Sequence, residues 1–234
     1  MHFLPRVLVA TSNHGKLRDF AGAAREQQVT IGAIADFEKI PAAVESGETF
    51  EQNARIKAEH YSKFAAGEWI LADDSGLVVD ALGGAPGVHS ARYGALLQAP
   101  LRHPTSGLEI PIENCDDALN NRVLISELIK LPEHCRQGHF ECVIAIAKNG
   151  VVEQVFCGSA HGMLLTDPRG NQGFGYDPLF LLPELERTFG ELEPAIKAQY
   201  SHRGKAFRKF LEWYKTAVEL DRKDGREKGF QTNK

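Results

Sequence analysis

The feature that most constrains the fold is a strand that runs straight into a helix. Arg6–Val7–Leu8–Val9–Ala10–Thr11 reads as a buried strand, Ser12-Asn13-His14-Gly15 as a turn, and Lys16 to Gln28 as a helix. A four-residue turn between the two leaves the helix N-terminus above the end of the strand. Backbone N–H groups and the positive end of the helix dipole then face whatever binds there. Strands and helices go on alternating. Val29 to Ile34 reads as a short strand and Thr49 to Ala66 as a long helix, with Thr49 as N-cap and Gln52 three residues on in a capping-box pattern. Trp69 to Ala72 is a strand closed by Asp73-Asp74-Ser75-Gly76. Leu77 to Leu82 is extended and stops at Gly83-Gly84-Ala85-Pro86-Gly87. Asp116 to Leu131 is helical. Phe140 to Ala147 and Val151 to Ser159 alternate around Lys148-Asn149-Gly150, a hairpin signal. Tyr176 to Leu182 reads as a last strand and Arg203 to Leu220 as a final amphipathic helix. The pattern defines an α/β fold with a mixed β-sheet flanked by helices. It fits one domain over residues 1–220, with a loop insertion at about 95–115 and a disordered charged tail at 221–234.

Charge and cysteine content exclude several classes of protein. The 234 residues carry a net charge of −4, without the basic surplus of a nucleic-acid-binding protein, so no nucleic-acid partner is expected. No apolar run is long enough to span a membrane, and the start shows no secretory signal; a cytoplasmic location and no membrane partner are expected. Cys115, Cys135, Cys142 and Cys157 lack metal-site spacing and read as reduced, mostly buried thiols.

Five segments could carry chemistry. Thr11, Ser12, Asn13, His14, Gly15 and Lys16 place hydroxyls, an amide and an amine at a helix N-terminus, a set that suits phosphate oxygens; the plain alternative is an N-cap turn with a solvated lysine. It is not a Walker A loop, because Leu17 follows the lysine. Asp73 and Asp74 are costly after an apolar run unless paired or bound to a cation, and their hard oxygens suit Mg²⁺. As strand neighbours they face opposite ways, so one points into a site. Glu45 could be a second metal ligand. Asn53 and Lys57, four apart, share a helix face, and Lys57 could meet phosphate. Phe174, Gly175, Tyr176 and Asp177 offer a stacking ring, close backbone and a carboxylate for base N–H groups. Lys197, His202 and Arg203 are donors for keto oxygens or phosphates, and His89, Ser90 and Arg92 could join them.

Taken together, these segments resemble one family. TSNHGK at 11–16, Glu45 before SGETF with Asn53 and Lys57, LADDSGLVVDALGGAPGVHSARY at 71–93, PRGNQGFGYDPLF at 168–180, Lys197 and SHRGKA at 201–206 are similar, in order and spacing, to the inosine triphosphate pyrophosphatases, also called Ham1-like or RdgB-like. The resemblance covers about residues 7–215. It implies an elongated mixed sheet split into two lobes around a central cleft, and usually a homodimer. It implies Mg²⁺-dependent hydrolysis of non-standard purine nucleoside triphosphates (ITP, dITP, XTP) to the monophosphate and pyrophosphate, which cleanses the nucleotide pool. By the same resemblance Thr11 to Lys16 hold the triphosphate, Asp74 is proton acceptor and metal ligand, Glu45 is a further ligand and Ser75 contacts substrate. Phe174 to Asp177, Lys197, His202 and Arg203 match base-binding positions. The 95–115 segment is longer than the family pattern, and Phe189 and Tyr200 are bulkier. Two other readings are a Maf-like nucleotide pyrophosphatase with another base preference and a catalytically silent nucleotide-binding protein on the same fold.

Overall fold

The computed structural model describes residues 7–26, 29–98 and 113–230. Their core is one open seven-stranded mixed sheet in the order β2-β1-β3-β4-β5-β6-β7. Strand β1 (Val7–Val9) runs parallel to β2 (Ile31–Ala33) on one side and to β3 (Trp69–Val79) on the other. Beyond β3 every pairing is antiparallel: β4 (Gln137–Lys148), β5 (Val151–Leu164), β6 (Phe180–Leu182) and β7 (Arg187–Thr188). Helix α1 (His14–Glu26) and the long α6 (His202–Phe230) cover one face. Helix α2 (Phe50–Ser62) covers the other.

Strand β1 and the start of β3 are buried on both faces, so they read as continuous apolar runs rather than alternating ones. In β1, Val7 and Val9 pack with Phe20, Phe207 and Phe210, while Leu8, with Ala10 just past the strand, packs with Phe50, Ala54 and Ala58. A third core joins the far half of β3–β6 to α3 (Tyr93–Gln98) and α4 (Asp117–Leu128), built on Tyr93, Leu124, Leu128, Phe140, Phe180 and Phe189.

The hairpin forms where its Asn-Gly signal lies. Asn149 and Gly150 take φ of 53° and 82°, the left-handed pair of a two-residue turn. At α2, Thr49 Oγ1 accepts from Gln52 N at 3.2 Å, but Gln52 Oε1 accepts from Glu48 N rather than from Thr49, so the predicted box closes one residue early.

Several sequence expectations are corrected. Asp73-Asp74-Ser75-Gly76 does not end a strand; it lies in the middle of β3, which pairs with β4 from Ile70↔Ala147 to Val79↔Gly138. Acidic residues at that depth are tolerated because cations meet both. Tyr176 to Leu182 is a strand only from Phe180, since Pro178 favours a 3₁₀ turn over Asp177–Leu179. Strand β7 and helix α5 (Pro194–Tyr200) were too short to show a period. Helix α6 continues to Phe230, past Leu220; arginine, lysine and glutamate are good helix formers even without an apolar stripe. Of the cysteines, all free, only Cys142 is buried, and Cys157 is exposed. Within the expected insertion, α3 accounts for the residues to Gln98; positions 99–112 lie outside the described residues.

Candidate functional site

Asp73 and Asp74 sit at the middle of the sheet, and the pleat sends them to opposite faces. Asp73 Oδ2 meets Lys16 Nζ of α1 at 2.8 Å, with Arg203 Nε of α6 at 3.8 Å. Asp74 Oδ1 meets Lys57 Nζ of α2 at 2.7 Å, and Lys57 also reaches Glu45 Oε2 at 3.2 Å. Burial pushes both carboxyls up. For Asp73 the charges of Lys16, Arg203 and Lys57 outweigh it and hold the pKa below the usual value. For Asp74 burial wins over Lys57, and the pKa is raised. Burial would lower Lys57, but Asp74, Glu45 and Asp73 together raise it.

The loop carrying Glu45 is fixed by Asn53. Its side chain accepts from Gly47 N at 2.8 Å and donates to Gly47 O at 3.2 Å, so one buried amide sets where the loop meets α2. Asn13 does the same for the first turn: its Oδ1 accepts from Gly15 N (2.8 Å) and Lys16 N (3.1 Å). These two N–H groups are therefore used by the cap itself. What the turn offers an anion is the Thr11 and Ser12 side chains, the Asn13 amide and Lys16, all lining the cleft, plus the helix dipole. His14 stands at the first position of α1.

The cleft, about 330 Å³, runs from Glu45, Lys57 and Asp74 past Ser75 and Lys16 to Phe174, His202 and Arg203. Arg203 links its two ends. Its Nη2 donates to Ser75 Oγ at 2.9 Å, its Nη1 meets Asp19 at 3.4 Å, and its guanidinium carbon lies 4.8 Å from the Phe174 ring centroid. Phe174 also packs on Gly15, where a methyl group would come within 2.7 Å of the ring. Asp177 and Lys197 form a buried ion pair at 2.5 Å behind Phe174, and Asp177 Oδ2 also accepts from Phe174 N at 2.8 Å. Asp177 is thus engaged with Lys197, and Lys197 supports the aromatic wall rather than lining the cleft. Tyr176 is buried, its hydroxyl donating to Ser90 O at 2.8 Å, so Phe174 is the ring of this segment offered for stacking.

His202 is fully buried, stacked on Phe140 at 4.7 Å and 10°, and neither ring nitrogen has a hydrogen-bond partner. Burial, with Arg203 and Lys197 nearby, holds its pKa well below the ordinary value, so the ring is neutral at pH 7 and keeps one donor and one acceptor for a ligand. A depressed histidine pKa contributes stability that is present above the unfolded value and lost as pH falls through the folded one. Urea unfolding of the wild type should therefore weaken below about pH 6.5, with part of that slope missing in His202→Gln; equal slopes in the two proteins would contradict a buried neutral ring.

The donors that could hold a cation are few. Asp74 Oδ2 is buried with no partner, and Glu45 approaches from the facing loop. Among the described residues no three His, Cys, Asp or Glu side chains form a ready-made ligand set. Two carboxylates, one with an orphaned oxygen, fit a hard cation that takes its remaining ligands from water and substrate oxygens.

Most of the predicted residues converge here; Ser90 and Arg92 also line the cleft. Sequence reading missed Phe37, Tyr61, Asn114, Asp117 and Asn120, which line it from helices and loops without any motif of their own. Of the two bulky departures, Phe189 is buried 5.7 Å from Lys197, and Tyr200 packs partly buried against the same core.

An open mixed sheet carrying a strand-to-helix turn with a lysine, a carboxylate pair and an aromatic end to the same cleft defines an α/β nucleotide-binding protein. A model of the Ham1 family matches residues 7–213. The dITP/XTP pyrophosphatase of Geobacillus kaustophilus (strain HTA426) is 40% identical over 215 residues, 92% of this chain and 97% of the relative. That of Geobacter sulfurreducens is 43% identical over 203 residues, 87% and 93% of the two chains. A solved HAM1 protein from Coxiella burnetii superposes with a TM-score of 0.74 at 32% identity, covering 91% of this chain and 99% of its own. The chain belongs to the Ham1 family. Among the described residues no helix is long and apolar enough to cross a membrane.

Proposed function

We propose that this protein hydrolyses non-standard purine nucleoside triphosphates such as ITP, dITP and XTP to the monophosphate and pyrophosphate, with Mg²⁺. The observation that carries the reading is the single cleft. Buried Asp74, with one free carboxylate oxygen, lies at one end, and unpaired neutral His202 lies beside Phe174 and Arg203 at the other. The pyrophosphatase names of relatives matching nearly the whole chain support it.

Asp74 and Glu45 would hold Mg²⁺, which when bound screens the triphosphate and polarises a phosphoryl oxygen. Lys16 and Lys57, now paired to Asp73 and Asp74, would exchange part of that pairing for phosphate oxygens and offset the charge of departing pyrophosphate. Asp74 would orient and deprotonate the attacking water. The Phe174 ring would stack on the base. His202 and Arg203 would donate to a 6-keto oxygen, whereas a 6-amino group accepts from neither and could meet only the acceptor nitrogen of the His202 ring. Each orphaned donor costs about 1–3 kcal/mol, roughly 10- to 100-fold. A cytoplasmic homodimer belongs to the proposal on the family resemblance.

One assay tests this: ITP, XTP, dTTP, UTP and ATP with Mg²⁺, scoring pyrophosphate against orthophosphate. Pyrophosphate from ITP and XTP, at least about tenfold faster than from ATP and abolished by EDTA, is the expected result. ITP bound without pyrophosphate release would overturn it, as would a pyrimidine preference.

A further inference from the structure

Phe174 reaches the cleft from a loop with left-handed backbone at Gly173 (φ 76°) and Gly175 (φ 63°). Outside any strand ladder, the loop is held by a few backbone bonds, Gln172 N to Gly190 O and Asp177 N to Phe174 O among them, and by side chains. Asp177 holds the Phe174 N–H. Both polar groups of Gly175 are taken by one helix: Gly175 N donates to Asp117 Oδ2 at 2.7 Å, and Asn121 Nδ2 donates to Gly175 O at 3.0 Å. Asp117 and Asn121 are four apart on α4 and so share a face. The adjacent Asn120, buried, points to another side of the helix. Its Oδ1 accepts from Gly94 N at 2.8 Å, and its Nδ2 donates to Ala91 O at 3.3 Å. Helix α4 is thus fastened to the 91–94 segment through one residue and grips Gly175 through two others. The grip has a cost: Asn121 Oδ1 is buried with no partner. An apolar side chain there would avoid that orphaned oxygen but could not hold the Gly175 carbonyl.

We propose that Asp117 and Asn121 are positioning residues of the nucleotide site: by clamping the Gly175 peptide they keep the Phe174 ring between Gly15 and Arg203, and so act on base binding rather than on bond cleavage. The proposal rests on the nucleotide reading above. It ties Phe174, on the loop before β6, to helix α4, whose Asp117 and Asn120 border the same cleft.

The test uses Asp117→Ala, Asn121→Ala and the conservative Asp117→Asn, whose side-chain oxygen can still accept from Gly175 N. Amide exchange by NMR reads the clamp directly, without activity. Asp117→Ala should speed exchange of the Gly175 amide at least about tenfold, the scale of losing one hydrogen bond to a charged group, with slow amides elsewhere unchanged. Steady-state hydrolysis of ITP should show KM raised about tenfold and kcat within about threefold. Asp117→Asn should stay near wild type in both. Unchanged Gly175 exchange in Asp117→Ala, a fall in kcat with KM untouched, or Asp117→Asn behaving like Asp117→Ala would each overturn the proposal. If Asp117→Ala does not fold, Asn121→Ala, which frees the Gly175 carbonyl, should raise KM for ITP with kcat within about threefold, and an unchanged KM there would overturn the proposal. A wild-type protein without ITP turnover would sink the functional reading itself; failure of the clamp shows only in the variants, with the wild type active.

Discussion

Asp74→Asn should lower pyrophosphate release from ITP by about 10²-fold or more, roughly 2.7 kcal/mol of barrier, while leaving the fold intact. The amide keeps the shape of the side chain and can still accept from Lys57 through its oxygen. What it loses is the charge and basicity of Oδ2, the buried oxygen that no protein group meets. The fold should survive because Asp74 lies inside the ten-pair β3–β4 ladder, opposite Val143, and because burial already disfavours the Asp74 carboxylate. Replacing a charge that its surroundings resist costs little stability. The check is a pair of measurements: initial rates with ITP and saturating Mg²⁺, and thermal unfolding by circular dichroism. Rates within a few fold of wild type would remove Asp74 from the chemistry. A collapse in melting temperature would make the lost activity uninformative about its role.

How far this site could be read from the chain depends on the distance over which each part is specified. The strand–turn–helix at the start of the chain was legible because strand, cap residue and helix lie within Val7 to Glu26, and Asn13 caps locally. The opposite facing of Asp73 and Asp74 followed from the pleat alone. Their place in mid-strand did not, because it depends on β4, more than sixty residues later, and on Lys16, Lys57 and Arg203 arriving from three helices. Local composition therefore suggested a turn where long-range pairing makes a strand. Asp177 was open to a reading as a base acceptor because its ion pair with Lys197 is a tertiary contact. Asp117 and Asn121 gave no signal: an aspartate in the first turn of a helix and an asparagine on its face are what any helix could carry. Only the position of Gly175 gives them a role.

Breaking the Asp177–Lys197 pair should have the largest effect on stability. Both side chains are buried, 2.5 Å apart, and Lys197 lies 5.2 and 5.7 Å from the Phe174 and Phe189 ring centroids. Burial raises the Asp177 carboxyl even with Lys197 beside it, so the ionised pair exists against a desolvation cost that each partner offsets for the other. Asp177→Ala leaves an ammonium in an aromatic pocket with no counter-charge. The expected loss is about 3–5 kcal/mol, a drop in melting temperature of roughly 10 °C for a chain of this size. The two rings return only part of it, on the order of 1–2 kcal/mol. Adding Lys197→Met removes the stranded charge and keeps the apolar stem, so urea unfolding of the double variant should recover most of the loss. Binding should not recover with it. The Phe174 N–H still lacks the Asp177 oxygen that holds it, and the ring proposed to stack on the base stays loose. The double variant is therefore expected to be nearly as stable as wild type but to keep a raised KM for ITP. Additive losses in the two single variants would show that the pair is not coupled. A double variant with wild-type KM would show that Phe174 does not depend on the Asp177 bond.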